Sequence, residues 1–292
     1  MQAAGASKPP PGVVFDSAMS GLSDALALTI LYGLEARNEA RVLSVNVSRP
    51  SLKAAMFCDV LARFFGNFRG FPIGLAAGTA IDEQGALAEV VDRKDASGAP
   101  VYPRAVQKFT DTGLTPATAR NVLTAQFDGN AIMVLTGPAT YVVKMLELPG
   151  VEKLIAAKVR SLHVVEEGLR GDAAAAKKLL SSWPTPIVMV GAEVGAAIPY
   201  PASSFEKDFA WAPNHPLVDA YRASRGGVIS TSAAAAAVHA VRPDAGLFTL
   251  SEATGRQRSL RVEASRQEEL ARVYAELASA QPSRQPRGRR GQ

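Results

Sequence analysis

The strongest constraint on this chain is the alternation of short, unbroken apolar runs with longer segments of helical period. Val13-Val-Phe15, Ile132-Met-Val-Leu135 and Ile187-Val-Met-Val190 contain no polar residue. A strand with one face in water alternates apolar and polar residues, whereas a parallel strand covered on both faces is apolar throughout. Leu43-Ser-Val-Asn-Val47, Phe71-Pro-Ile-Gly-Leu75 and Lys158 to Val165 supply further strands. Between them, Asp24 to Gly33 reads as an apolar helix stopping at glycine, and Leu52 to Phe65 as an amphipathic helix. Thr118 to Gln126, Ala139 to Leu146 and Asp172 to Leu180 also read as helices. Such alternation predicts an α/β fold, a mainly parallel central sheet flanked by helices on both faces. Residues 78–115, rich in Gly, Pro and Asp, read as a long polar excursion over the surface. Beyond Pro216 the pattern is mainly helical, closing with Arg266 to Ala280. With no internal repeat or linker, one domain is expected over 12–281, between a flexible 1–11 and a disordered basic tail at 282–292.

Composition narrows the function classes. Of 292 residues, 47% are hydrophobic and 20% charged, enough for a sizeable core and too apolar for general disorder. No apolar run approaches the roughly 20 residues needed to cross a bilayer. The first fifteen residues lack the apolar stretch of a signal peptide, so a cytoplasmic protein without a membrane partner is expected. The single cysteine, Cys58, excludes a disulfide framework and a Cys-based zinc site. Of 32 basic residues, Arg284, Arg287, Arg289 and Arg290 lie in the tail, leaving 28 against 27 acidic residues. A nucleic-acid protein carries its basic face as part of its fold, so no nucleic-acid partner is expected.

Familiar signatures are sparse. The chain has no Walker-type phosphate loop and no G-x-S-x-G elbow. Gly191-Ala-Glu-Val-Gly195 lacks full dinucleotide spacing and reads as a tight turn after a strand. His163, His215 and His239 are scattered without metal-ligand spacing, and His239 lies in an apolar helix as a core residue would. Cys58, inside the Leu52 to Phe65 helix, reads as an inert buried thiol.

The informative segment is Val13-Val-Phe-Asp-Ser-Ala-Met-Ser-Gly-Leu-Ser-Asp-Ala-Leu-Ala-Leu28. A strand ending in Asp16, a turn of small residues and then Asp24 at a helix start place two carboxylates at the carboxyl edge of the sheet. That edge is where open α/β sheets bind ligands. The same residues read equally as an Asp ending a strand, hydrogen-bonded to amides of the turn, followed by an Asp capping a helix.

This segment resembles the opening of the inosine/uridine-preferring nucleoside hydrolases, a strand followed by D-x-D, a glycine-containing turn and D-D-A-[LV]-A. Met133-Val-Leu-Thr-Gly-Pro-Ala-Thr140 is similar to that family's strand-Thr-Gly-Pro-Leu-Thr-Asn turn, and Trp183-Pro-Thr-Pro-Ile-Val-Met-Val-Gly-Ala-Glu-Val-Gly195 to the strand that follows its glutamate–asparagine segment. Order and spacing agree from about Gly12 to about Gly246. The resemblance implies a nucleoside-hydrolase-like fold and hydrolysis of the N-glycosidic bond of nucleosides. It also implies a calcium ion held by carboxylates beneath the ribose, an aspartate as general base, and dimers or tetramers. Calcium would align the attacking water and the ribose hydroxyls.

Carried over position by position, the resemblance implies a depleted site. Asp16 matches the first Asp of D-x-D, but the base falls on Ala18. The D-D pair falls on Ser23 and Asp24, and Thr136 matches a threonine that offers its carbonyl to the metal. An expected asparagine is Tyr141. The ribose-gripping Glu-x-Asn segment falls in Glu166-Glu-Gly-Leu-Arg-Gly171, and a late metal-binding aspartate falls in Ser230-Thr-Ser-Ala-Ala-Ala235. Asp24 and Thr136 are then metal-site remnants, with Asp16, Ser23, Tyr141, Glu166, Glu167 and Glu193 around the pocket. No bound cofactor is expected, because six to eight oxygens usually surround calcium. Two functions follow: a pseudoenzyme that binds a nucleoside or riboside, alone or as a homo- or hetero-oligomer subunit, or an active hydrolase with a site rearranged on Glu166, Glu167 or Glu193.

Overall fold

A computed structural model of the chain describes residues 9–66 and 71–283. The expected flexible start and basic tail fall almost wholly on 1–8 and 284–292, outside the described residues. The chain opens with β1 (Gly12–Ser17), α1 (Leu22–Ala36), β2 (Arg41–Val47), α2 (Leu52–Phe64) and β3 (Ile73–Leu75). It continues through α3 (Ala86–Asp92), β4 (Gly113–Leu114), α4 (Thr115–Thr124), β5 (Ala131–Leu135), α5 (Thr140–Leu146) and α6 (Val151–Lys158). Next come β6 (Val159–Val165), α7 (Glu166–Leu169), α8 (Ala173–Ser182), β7 (Ile187–Val190), α9 (Ala192–Ala197) and α10 (Ser204–Lys207). The chain closes with α11 (Pro216–Ala223), α12 (Ser232–Val241), β8 (Thr249–Leu250), β9 (Gln257–Arg261) and α13 (Gln267–Ala278).

The strands form one nine-stranded sheet in the order β4-β3-β2-β1-β5-β6-β7-β9-β8, parallel throughout except for the β8–β9 pair. Its two faces carry separate apolar clusters. Val13, Phe15, Ile132 and Val134 face α1, α2, α12 and α13, whereas Val14, Met133 and Leu135 face α4, α5 and α8. This two-sided cover explains the unbroken apolar runs. No helix among the described residues is long and apolar enough to cross a membrane.

Four expectations are corrected. Helix α1 does not stop at Gly33 but runs to Ala36. A Cβ at Gly33 would collide with the backbone carbonyl of Leu277, so this glycine admits α13 rather than ending α1. The 78–115 segment is a surface excursion only in part: most of it is exposed, but Leu87, Val90 and Val91 of α3, with Tyr102 and Val106, are buried in the α1–α2 cluster. Gly191 precedes a helix, α9, and Gly195 lies inside it, where a Cβ would strike the hydroxyls of Ser230 and Ser232. The region after Pro216 also includes β9, paired parallel with β7.

Strand order reverses at β1, whose neighbours β2 and β5 lead to opposite edges of the sheet. At such a switch point the connections leave in opposite directions and open a crevice at the carboxyl ends of the strands.

Candidate functional site

That crevice holds a cavity of about 440 Å³, within the usual range for small-molecule sites. Ala18 and Ser20 to Asp24 of the β1–α1 turn and helix start, Thr136-Gly137-Pro138 after β5, Val165, Glu167, Gly168 and Gly171 around α7, and Ser232 and Ala233 of α12 form its walls. Of the residues singled out in the sequence, Ala18, Ser23, Asp24, Thr136 and Glu167 meet here. Asp16 is buried outside the wall, and Tyr141, Glu166 and Glu193 are not part of it either. Tyr141 instead donates its hydroxyl to the carbonyl of Ala77 at 2.6 Å. The segments matched to the ribose-gripping and late metal-binding elements do reach the cavity, through Glu167 and Ser232.

Asp24 sits at the third position of α1, not at its cap, which is Gly21. Its Oδ2 accepts from the backbone N–H of Ser20 at 3.1 Å, and its Oδ1 from the Thr136 hydroxyl at 2.8 Å. A carboxylate in the first turn answers the unpaired amides and positive end of the helix. Burial nonetheless raises its pKa above the ordinary carboxylate value, against the pull of these donors and of the Arg49 charge. Ser23 donates to the carbonyl of Ser230 at 2.8 Å, tying α1 to the segment before α12.

Asp16 behaves otherwise than its sequence position suggests. The amides of the turn go elsewhere: Met19 donates to Ser17 Oγ at 2.9 Å and Ser20 to Asp24. The Oδ1 of Asp16 is buried without a hydrogen-bond partner, and desolvation holds its pKa well above the ordinary value. Its register neighbour on β2, Asn46, is fully buried with neither amide atom partnered, and the Ser48 hydroxyl is likewise unpartnered. Asp16 and Asn46 are thus adjacent in register, with Ser48 just past the end of β2, and all three carry a buried polar atom without a partner. Sequence reading passed over Asn46 and Ser48. The available signal was Ser44-Val-Asn46 inside a strand covered on both faces, where uniformly apolar residues are the norm.

The remaining singled-out residues are structural. Cys58 is buried, and desolvation pushes its thiol pKa up. His163 Nε2 and His239 Nδ1 lie 2.9 Å apart across β6 and α12. His215 Nδ1 accepts from the Leu217 amide and caps α11. Among the described residues no three His, Cys, Asp or Glu side chains group closely enough to hold a metal ion.

The chain matches no family model, and no curated protein matches it in sequence. Its structure does have counterparts. A plant nucleoside hydrolase superposes with a TM-score of 0.65 at 18% identity, covering 93% of this chain and 100% of its own. The inosine-uridine preferring nucleoside hydrolase of Bacillus anthracis gives 0.61 at 14% identity, covering 91% and 99%. The chain has the nucleoside hydrolase fold. The same fold extends to a type III effector protein, XopQ, solved with adenosine diphosphate ribose, with a TM-score of 0.67 at 14% identity over 94% and 93% of the two chains. In the nucleoside hydrolase fold of this chain, the sheet's switch point and the cavity coincide.

Proposed function

We propose that this protein binds a riboside, a nucleoside or an ADP-ribose-like molecule, in the β1–β5 crevice and does not carry out calcium-dependent hydrolysis. The observation that carries the reading is the state of Asp24, whose two oxygens are both engaged by internal donors. Of the other nearby carboxylates, Asp16 is buried and does not line the cavity, and Glu167 in the wall is exposed to solvent. Calcium needs several free oxygens, with carboxylates to balance its charge, so this donor set does not fit it. The wall suits a polyol instead, since Ser20, Ser23, Thr136 and Ser232 bring hydroxyls around one buried carboxylate. The solved neighbours named for nucleosides and for ADP-ribose support the ligand class. Such a protein acts as a ligand-binding subunit, by itself or beside other copies.

A second reading rests on Glu167, the one acidic side chain besides Asp24 in the wall. There it could accept the proton of an attacking water, giving a metal-free hydrolase with a rearranged site.

Calorimetric titration with adenosine, inosine and ADP-ribose, paired with a reducing-sugar assay in calcium and in chelator, separates the readings. Binding without sugar release is expected. Chelator-sensitive release would overturn the proposal, as would no binding by any of the three. Chelator-insensitive release abolished by Glu167→Gln would establish the second reading.

A further inference from the structure

Arg49 follows β2 and reaches back to the β1–α1 turn. Its Nε donates to the carbonyl of Ala18 at 2.5 Å, and its Nη2 to the carbonyl of Met19 at 2.8 Å and to Glu83 Oε1 at 2.6 Å. The hydroxyl of Ser51 donates to the other oxygen of Glu83. Both partners of the ion pair are largely withdrawn from solvent, with side chains 21% and 10% exposed. Two carbonyls and a carboxylate thus converge on one cation at the foot of the β1–α1 turn. Hard oxygens of this kind are the ligands a calcium ion selects.

The backbone of the turn is arranged for this convergence. Met19, buried and not a glycine, has a φ of 45°, a left-handed conformation that is disfavoured for side chains with a Cβ. Its N–H is held by Ser17 and its carbonyl by Arg49. The guanidinium also acts on Asp24, whose charged form it favours. It provides a fixed, planar charge that needs no stripping of a hydration shell as tight as that of a divalent ion.

We infer that the Arg49 guanidinium is the built-in positive charge of this site, taking the oxygens that would otherwise draw a divalent cation, so that the pocket above works without calcium. The last clause rests on the riboside reading; the displacement of the cation does not. Without Arg49, the turn would present the carbonyls of Ala18 and Met19 and the carboxylate of Glu83 with no compensating charge. That is an incipient cation site.

The test is the melting temperature of the full chain in calcium chloride and in potassium chloride of equal ionic strength, for the wild type and Arg49→Met. The wild type is expected to shift by less than about 1 °C, and Arg49→Met, destabilised in potassium, to regain about 3 °C or more in calcium at roughly 10 mM. A calcium response in the wild type, or none in a folded Arg49→Met, overturns the inference. Arg49→Lys keeps the charge and must be as insensitive as the wild type, so a calcium response there also overturns it. Should Arg49→Met fail to fold, calorimetric titration of the wild type with calcium still decides, since a Kd below about 1 mM would contradict an already filled cation position. If no riboside binds while these results hold, the proposed ligand is wrong and the role of Arg49 stands.

Discussion

At the scale of single residues, Asp16 shows how a group can be well placed in sequence and poorly partnered in structure. Its position at the end of β1 was legible from Val13-Val-Phe-Asp16, because a strand followed by small residues must end there. Its partners were not, because Ser17 and Asp24 compete for the same amides and only three-dimensional placement decides between them. A buried carboxyl without a hydrogen bond costs about 1–3 kcal/mol. With its folded pKa above the unfolded value of 3.8, the native state keeps a proton that the unfolded chain has released, so stability falls as pH rises through that interval. Asp16→Ala is therefore expected to be at least as stable as the wild type at pH 7, by about 1–2 kcal/mol once the small cavity is allowed for. It should also lose part of the decline in stability above pH 4. A melting temperature several degrees lower at pH 7 would show that Asp16 has a partner after all. Arg49 and Glu83 were invisible in sequence for another reason: they lie 34 residues apart, and nothing local marks an arginine as internal.

Among the elements, sequence reading succeeded where one apolar face decides the outcome and failed where a neighbour does. Strands β5 and β7 are evident because both faces are covered. Strand β9, Gln257-Arg-Ser-Leu-Arg261, was missed since only Leu260 is buried and the rest looks like a polar loop. Gly33 was read as a helix stop because glycine commonly follows a helix C-terminus. What it admits is a carbonyl of the last helix, which lies far away in sequence. Gly33→Ala sets two effects against each other: alanine gains about 1 kcal/mol of helix propensity, but a Cβ there collides with backbone rather than a yielding side chain. Overpacking of about 1–3 kcal/mol should win, so Gly33→Ala is expected to lower the melting temperature despite its better helix former. A rise would mean that α13 can move aside. Helix α12 shows the same dependence on neighbours. Its alanine run from Ala233 to Ala237 is fully buried because α1 packs closely on it, and the site end of that helix offers only Ser232 and Ala233 to the cavity.

For the whole molecule, the three buried histidines set the response to acid. Desolvation lowers His215 to about 3 and His239 to about 4, and His163 well below the ordinary 6.5. The unfolded chain takes up protons below about pH 6.5 that the native state refuses, so stability is complete above that pH and declines as pH falls toward the folded values. Asp16 and Asp24 act in the opposite sense, which makes the isolated effect of one histidine the clean measurement. His215→Asn keeps an acceptor at the start of α11 and removes the titration. It should flatten the dependence of unfolding free energy on pH between about 4 and 6 by roughly 1.4 kcal/mol per unit, and an unchanged slope would place His215 in contact with water. One further consequence follows from the docking of α1 against α12 and α13. The central strand and its helix leave a ribosome long before α12 and α13, which cover them, are made. While the intervening 190 or so residues are being translated, at a typical 5–20 per second, the apolar stretch from Ala25 to Leu34 must wait unburied for roughly ten seconds or more. Nascent chains of this protein should therefore be clients of holding chaperones until α13 has emerged, and a stop codon before Gln267 should yield an aggregate rather than a shortened, working protein.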